Sequence, residues 1–587
     1  MKKILALLLA LMMIVTVFAG CADTTTDDSQ AEDKSSATAD DNDDVADDEE
    51  PTDDGEEAPV PITLLVPDNN VPEYPRNMDR PVMQKMKEIF LEKFNVDWTL
   101  ESVIGEKFEE TVNTRLAAGT DLPDAINYRF GDSRLLEIYN NGLIIGLNDL
   151  IEEYGPNIKH GMMEEIPYLT IANGTADGEI LRVPDAVLNI QHQVTVLNVR
   201  YDWVKQLGME IPTTPEEFKA YLVACNDQDV NGTGNRDIIF LANYGNMNFS
   251  LGTSFGVMNA SSASSSWWYD DDMKLYNSMA TDNMRDYVAY VADLYDEGLI
   301  FPAFSNYTAD QWNEVIYNNK AGAGVGAWWD GVIQVGTLSS KGITGETVTF
   351  RNLENADGES VNVLKNLGGY SGTMITKDCA APEKVIMMAD YFYTLEGSRL
   401  DYNGEIYPGG DYYVAVDESK LDPRLQGTLS EGQMEYTEKG QQAMAENPQL
   451  WNAMGFNTCT FGRWMIGTAG DIAHEFSTAF AGTGLACDID WNLENLNFFI
   501  ENGITQVGFS MPTDEQTAAI NEYTDLFTYM DEQIQLFMMC GRDLSEWDAF
   551  VEECNDMGLA DVTAIYQERF DAYVSVMDEM GAMVFEK

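Results

Sequence analysis

Two tryptophan pairs are the residues best equipped to hold a ligand. Trp328-Trp329-Asp330 follows the small-residue run Ala321-Gly-Ala-Gly-Val-Gly326, and Trp267-Trp268-Tyr269 follows the serine-rich stretch from Ser261 to Ser266. Flat rings stack on the apolar C–H face of a sugar, while carboxylates and amides accept its hydroxyl hydrogen bonds. A tryptophan pair beside an aspartate offers both. Adjacent strand residues face opposite sides, so one ring of each pair can equally belong to the core. Weaker candidates are Asp68 and Asn69 after a first apolar run, Tyr128 and Arg129 after a third, Tyr370 in a glycine-rich stretch, and Trp464. In open parallel sheets, ligands sit beyond the carboxyl ends of the strands, where the first four fall.

A second constellation suits a cation. Asp229, Asn231, Thr233, Asn235 and Asp237 set oxygens at alternate positions, with Gly232 and Gly234 to turn the chain sharply. This follows the opening of an EF-hand-type loop, and the expected tenant is a structural Ca2+ that stiffens the loop without taking part in catalysis. Catalysis itself finds little support. Gly252-Thr-Ser254-Phe-Gly256 fits the letters of a nucleophile elbow, but Asn243 to Ser250 before it is no hydrophobic strand. The three histidines, His160, His192 and His474, have no ligand neighbours at helical spacing. Beyond Cys21, the cysteines at 225, 379, 459, 487, 540 and 554 lack the tight spacing of a disulfide scaffold or a zinc site.

These residues need a scaffold, and the hydrophobic pattern describes one. Ile62 to Val66 is a short apolar run closed by a turn, which predicts a buried strand. Met83 to Phe94 has helical spacing, Val96 to Leu100 alternates, Phe108 to Ala118 is helical up to Gly119, and Leu122 to Ile126 enters a third strand. Strands alternating with helices predict an α/β chain with a parallel sheet. Thr214, Pro215 and Glu217 predict a helix start with a capping box.

Ahead of this body lie two segments of another kind. Lys2 and Lys3, the uncharged run Ile4 to Ala19, and Phe18-Ala-Gly-Cys21 read as a signal peptide over 1–21, too short for a permanent membrane span. The ending resembles the lipobox of bacterial lipoproteins, which implies acylation at Cys21 and a membrane anchor. Residues 22–59 read as a disordered acidic tether: residues 22–58 hold seventeen acidic residues against one lysine. Such a segment cannot bury enough apolar surface to offset its ordering entropy. The whole chain has 99 acidic and 34 basic residues, a formal net charge of −65. That field argues against nucleic acid and polyanionic ligands.

Several segments together resemble the bacterial extracellular solute-binding proteins of the family 1, sugar ABC transporter type. They are Lys107 to Asp124 with its Asp-Leu-Pro-Asp ending, Gly142 to Ile151, Asp177 to Pro184, Arg200 to Met209 with Pro212 to Phe218, Ala381 to Gly397, and Phe537 to Gly541 with Leu544 to Val551. The resemblance implies a two-lobed, periplasmic-binding-protein-like (type II) α/β fold with an interlobe hinge and a helical C-terminal region. It places lobe 1 at 60–190 and 368–435 and lobe 2 at 191–367 and 436–587, with crossings near 185–195, 368–372 and 430–445. It also puts Trp328-Trp329 where sugar-binding relatives carry a stacking tryptophan, and the Asp229–Asp237 loop where relatives carry a calcium-type loop. The implied role is capture of an oligosaccharide on the extracytoplasmic face of the membrane and delivery to ABC permease subunits, without enzymatic activity. The alternative is a lipid-anchored glycan-active enzyme, or a surface glycan-binding protein without a transporter.

Overall fold

The computed structural model describes residues 57–68, 74–365, 371–403, 411–447, 450–455, 461 and 464–579. Cys21, the tether up to residue 56, Asn69, Tyr370 and the Gly368-Gly369 pair lie outside the described residues.

The chain opens as its apolar spacing predicts. Strand β1 (Val60–Pro67) leads to helix α1 (Pro81–Phe94), which has proline in its first turn and ends on Asn95 in the left-handed region at φ 54°. Strand β2 (Val96–Val103) lies parallel to β1 in the register Val60 to Val96, and helix α2 (Gly105–Ala118) ends on Gly119 at φ 62°. Strand β3 (Ala125–Asn127) runs parallel on the other side of β1, helix α3 (Asp132–Asn140) follows, and β4 (Val183–Pro184) completes this stretch. Ile62, Leu64, Phe90 and Trp98 form its core, with Phe90 edge-on to Trp98 at 5.3 Å.

The chain then crosses to a second sheet through β5 (Ala186–Asn189) and a short helix at Ile190–Gln193. There it forms β6 (Val196–Arg200), helix α4 (Pro215–Asp227), β7 (Ile239–Leu241), the hairpin β8 (Trp267–Tyr269) with β9 (Leu275–Asn277), β10 (Ala321–Gly326), helix α5 (Asp330–Ser340) and β11 (Thr347–Phe350). The second sheet has the order β11-β6-β10-β7. Thr214 caps α4 as its sequence predicts, accepting from the Glu217 N–H. The return arm of the box is displaced by one residue: the Glu217 carboxylate accepts from the Thr213 N–H at 2.9 Å. With Pro215 behind it, the side chain folds back past the cap.

Strand β12 (Val363–Leu364) leads back, and β13 (Gly372–Ile375) enters the first sheet antiparallel to both β3 and β4, giving the order β2-β1-β3-β13-β4. A hairpin of β14 (Tyr413–Ala415) and β15 (Met434–Tyr436) follows, and Met434 and Phe461 share the core of β1. Between the two hairpin strands, Leu421, Leu425 and Leu429 pack instead with Ala473 and Ile489. Strand β16 (Trp464–Gly467) runs parallel to β5, and helices α6 (Ala469–Ala479) and α7 (Ile489–Asn502) join Ile190, Val196 and Val332 in a further core. Strand β17 (Ile504–Thr505) pairs with β12. Helices up to α8 (Leu559–Glu579) then close over the core of the second sheet. Two parallel strand pairs, β5–β16 and β12–β17, thus tie together the segments that pass between the sheets. A chain that crosses through paired strands can bend there while each sheet keeps its own core.

Candidate functional site

The turn from β10 into α5 divides its tryptophan pair. Trp328 is 1% exposed, donates its indole N–H to Asn492 Oδ1 at 3.0 Å and lies edge-on to Phe499 at 6.0 Å. It is a core residue with its polar handle already used, which corrects its place among the ligand-facing candidates. Trp329 stays half-buried, and its ring meets the His192 ring at 4.9 Å. Asp330 folds back over the turn, and its Oδ2 accepts from the Ala327 N–H at 2.8 Å. Gly326 makes this possible, because a Cβ there would collide with Asp330 Oδ2.

Two groups beyond the sequence candidates complete this cluster. His192 comes from the crossing after β5. Lys365 follows β12, and its backbone N–H donates to Gln193 O at 2.9 Å. The Lys365 ammonium lies 5.6 Å from the centre of the Phe249 ring. Burial pulls the Lys365 ammonium below its ordinary range, opposed by Asp330. Burial likewise pushes the Asp330 carboxyl up, opposed by the Ala327 N–H and Lys365. The pair is therefore drawn partly out of water, where a hydrogen bond to a ligand hydroxyl is worth more than in solvent. One half-buried ring, a carboxylate and an ammonium meet where the chain passes between the sheets. Such groups can stack on and hydrogen-bond to a polar, hydroxyl-rich molecule.

The other candidates divide clearly. Trp267 is 0% exposed, stacked on Tyr566 at 4.3 Å, with its N–H donated to Ser264 O at 2.9 Å. Trp268 is also buried and stacks on Tyr269, which in turn stacks on Phe570 of α8 at 5.6 Å. Neither tryptophan is offered to a ligand: Trp267 is covered by Tyr566 of the C-terminal helix, and Trp268 is buried in the core of the second sheet. Asp68 holds a turn, accepting from the Arg76 N–H at 3.0 Å. Tyr128 is wedged between Phe108 and Phe130 and donates to Glu109 at 2.8 Å. Burial and then Glu109 push its hydroxyl up to about 12. Arg129 is exposed just beyond β3, and Trp464 opens β16 opposite Ala186. Ser254 of the elbow-like stretch sits in a 3-10 turn, buried and donating to Leu353 O at 2.8 Å, with no base beside it.

The cation-type loop has the expected shape. Asp229, Gly232 and Gly234 all adopt positive φ, and both Asp229 oxygens accept from the Gly234 N–H at 3.0 Å. Asp237 Oδ1 accepts from Asn231 and Thr233, each at 3.0 Å, while Lys320 stands 3.4 Å from its Oδ2. Burial pushes the Asp237 carboxyl up, and these neighbours together hold it below its ordinary value. Two carboxylates, an amide, a hydroxyl and the Asn235 carbonyl can serve Ca2+, which takes six to eight oxygens, if water supplies the rest. The donor set fits.

With this geometry described, likenesses to known proteins become informative. The chain superposes on the alginate-binding protein AlgQ2 with a TM-score of 0.65, covering 88% of this chain and 99% of that one at 19% identity. It superposes on the Streptococcus pneumoniae ABC-transporter substrate-binding protein FusA in complex with kestose with a TM-score of 0.63, covering 88% and 100% at 20% identity. The chain has the two-lobed α/β fold of these structures. In sequence, the chain is 30% identical to FusA over 217 residues, 35% of this chain and 39% of FusA. It is 23% identical to the Bacillus subtilis lipoprotein LipO over 352 residues, 57% of this chain and 64% of LipO. The matches thus span less than two thirds of each relative's length. No family model matches the chain. The ordered motifs agree with these partial likenesses in sequence and with the shared fold.

Proposed function

We propose that this protein captures an oligosaccharide between its lobes, on the outer face of the membrane, and delivers it to an ABC importer. The carrying observation is the convergence of Trp329, His192, Asp330 and Lys365 at the strand pairs joining two sheets, within a fold shared with a kestose-bound substrate-binding protein. A ligand that touches both lobes favours the closed form by its differential affinity for the two conformations. Trp329 supplies the stacking face, Asp330 accepts hydroxyl hydrogens and Lys365 donates to hydroxyl oxygens. The lobes we propose are 60–190 with 371–461, and 191–365 with 464–579. The packing of Met454 and Phe461 with the core of β1 supports a last boundary beyond 435, and that of Leu421, Leu425 and Leu429 with Ala473 and Ile489 supports a second-lobe place for 421–430.

Attachment through an acylated Cys21 agrees with the leader and with the name of LipO. Two acyl chains suffice for stable anchoring, since each buried methylene contributes about 0.8 kcal/mol. Among the described residues, no helix is long and apolar enough to cross a membrane. A structural Ca2+ held by Asp229, Asn231, Thr233, Asn235 and Asp237 belongs to the same reading. A structure of AlgQ2 without calcium ion and one of a FusA EF-hand mutant support this reading.

The test is incubation of the purified protein with a panel of oligosaccharides, followed by calorimetry and by chromatography of the sugar. Binding with the sugar recovered intact supports capture. New reducing ends would support a glycan-active enzyme, and no binding across the panel would overturn the oligosaccharide reading.

A further inference from the structure

In a chain with 99 acidic and 34 basic residues, arginines gathered around one carboxylate are out of character. Arg182, just ahead of β4, is 6% exposed; it donates to Asn173 Oδ1 at 2.6 Å and to Phe130 O at 3.0 Å. Arg569, on α8, is 7% exposed; it donates to Ser510 O at 2.9 Å, and its Nη2 stands 3.7 Å from Asp132 Oδ2. Arg129 lies near enough to Arg182 to disfavour its charge, and the carboxylate that acts on both buried arginines is Asp132. The Asp132 side chain is itself 51% exposed, so its compensation is screened by water. Two buried guanidinium groups that share one half-exposed carboxylate are incompletely compensated, and buried charge of that kind is costly. An arriving anion removes that cost.

The surroundings suit a sugar as well as a charge. Arg569 lies 5.3 Å from the ring centres of Phe509 and Tyr566, and Tyr168 meets Tyr573 edge-on at 6.0 Å. Arg129 and Asp132 follow the carboxyl end of β3, while Arg182 precedes the crossing. Arg569 comes from a helix packed in the core of the second sheet. Segments belonging to both sheets therefore meet at this corner.

We propose that the corner formed by Arg129, Arg182 and Arg569 binds the carboxylate of an acidic sugar, so that the preferred oligosaccharide carries at least one uronate-type residue. This rests on the oligosaccharide reading and narrows it. The overall negative charge does not forbid it: at physiological ionic strength charges beyond about 8 Å are largely screened, and the nearby arginines dominate. A planar guanidinium fork matches a carboxylate in two hydrogen bonds, which an ammonium cannot reproduce.

The experiment is calorimetry of the purified protein with trimers of galacturonate, mannuronate and glucuronate, each beside its carboxyl-reduced neutral counterpart. At least one acidic trimer is expected to bind tenfold or more tightly than its reduced partner. That preference should fall severalfold in Arg129→Gln, whose side chain is exposed and outside any core, and severalfold in Arg569→Lys, which keeps the charge but loses the fork. Neutral trimers binding as well as acidic ones, or a preference unchanged in both variants, would overturn the proposal and leave the oligosaccharide reading standing. Failure of every acidic trimer while other neutral oligosaccharides bind overturns it in the same way. Binding of no glycan at all overturns both.

Discussion

At the residue scale, two neighbouring tryptophans carry opposite duties. Trp328 is buried with its indole N–H bonded to Asn492, so Trp328→Ala should leave a cavity and an unpaired amide. The expected loss is about 3–5 kcal/mol of stability, read by denaturant unfolding. Trp329→Ala removes a half-buried ring against His192, and unfolding should shift by less than about 1 kcal/mol. Oligosaccharide affinity should instead fall about tenfold, the worth of one lost stacking contact. A Trp329 variant that binds sugar at full strength would remove that ring from the site. The pair was visible as a chemical resource in the sequence; which member faces the guest was not. That choice depends on Asn492 and Phe499, which only folding brings alongside.

At the element scale, turns decide what the strands can present. Gly326 ends β10 where Asp330 folds back to accept from Ala327. Gly326→Ala should push that carboxylate away, with about 1–2 kcal/mol lost from stability and a matching drop in ligand affinity, both measurable on one preparation. The Asp229–Asp237 loop makes its own prediction. Added Ca2+ should raise the melting temperature by several degrees, Mg2+ should do less, and Asp229→Asn should abolish the effect. A melting curve indifferent to calcium would leave the loop as a glycine turn held by Lys320. The strands β1 to β3 and helices α1 and α2 were legible because their apolar spacing is local. The covering of Trp267 and Tyr269 was not, because the rings above them arrive on α8 at the far end of the chain.

At the scale of the whole molecule, the formal charge of −65 means that stability should rise with salt, as self-repulsion is screened. One carboxyl adds a distinct dependence on pH. Burial, followed by Asp471, pushes the Glu475 carboxyl on α6 up to about 7 from an ordinary 4.5. The folded state therefore holds a proton that the unfolded state has released between about pH 4.5 and 7, and stability falls as pH rises through that window. The full shift corresponds to about 3 kcal/mol, and partial exposure of the side chain trims this to about 1–2 kcal/mol. Glu475→Gln should recover that amount at pH 8 and change little near pH 4.5, in paired denaturant titrations. The adjacent His474 has its Nε2 3.5 Å from Glu435 Oε2, and Asp471 also acts on Arg399. Equal gains at both pH values would show that Glu475 does not carry the effect.

The order of motifs along the chain and the alternation of strands with helices determined by themselves the fold to expect, and the first twenty-one residues set an expectation for the compartment. These are properties of spacing and composition, and they survive without coordinates. The tertiary structure decided which rings are buried, which charges face one another at the crossings, and where Arg182 and Arg569 share Asp132. Those depend on side chains drawn from segments hundreds of residues apart, and local periodicity carries no information about such meetings.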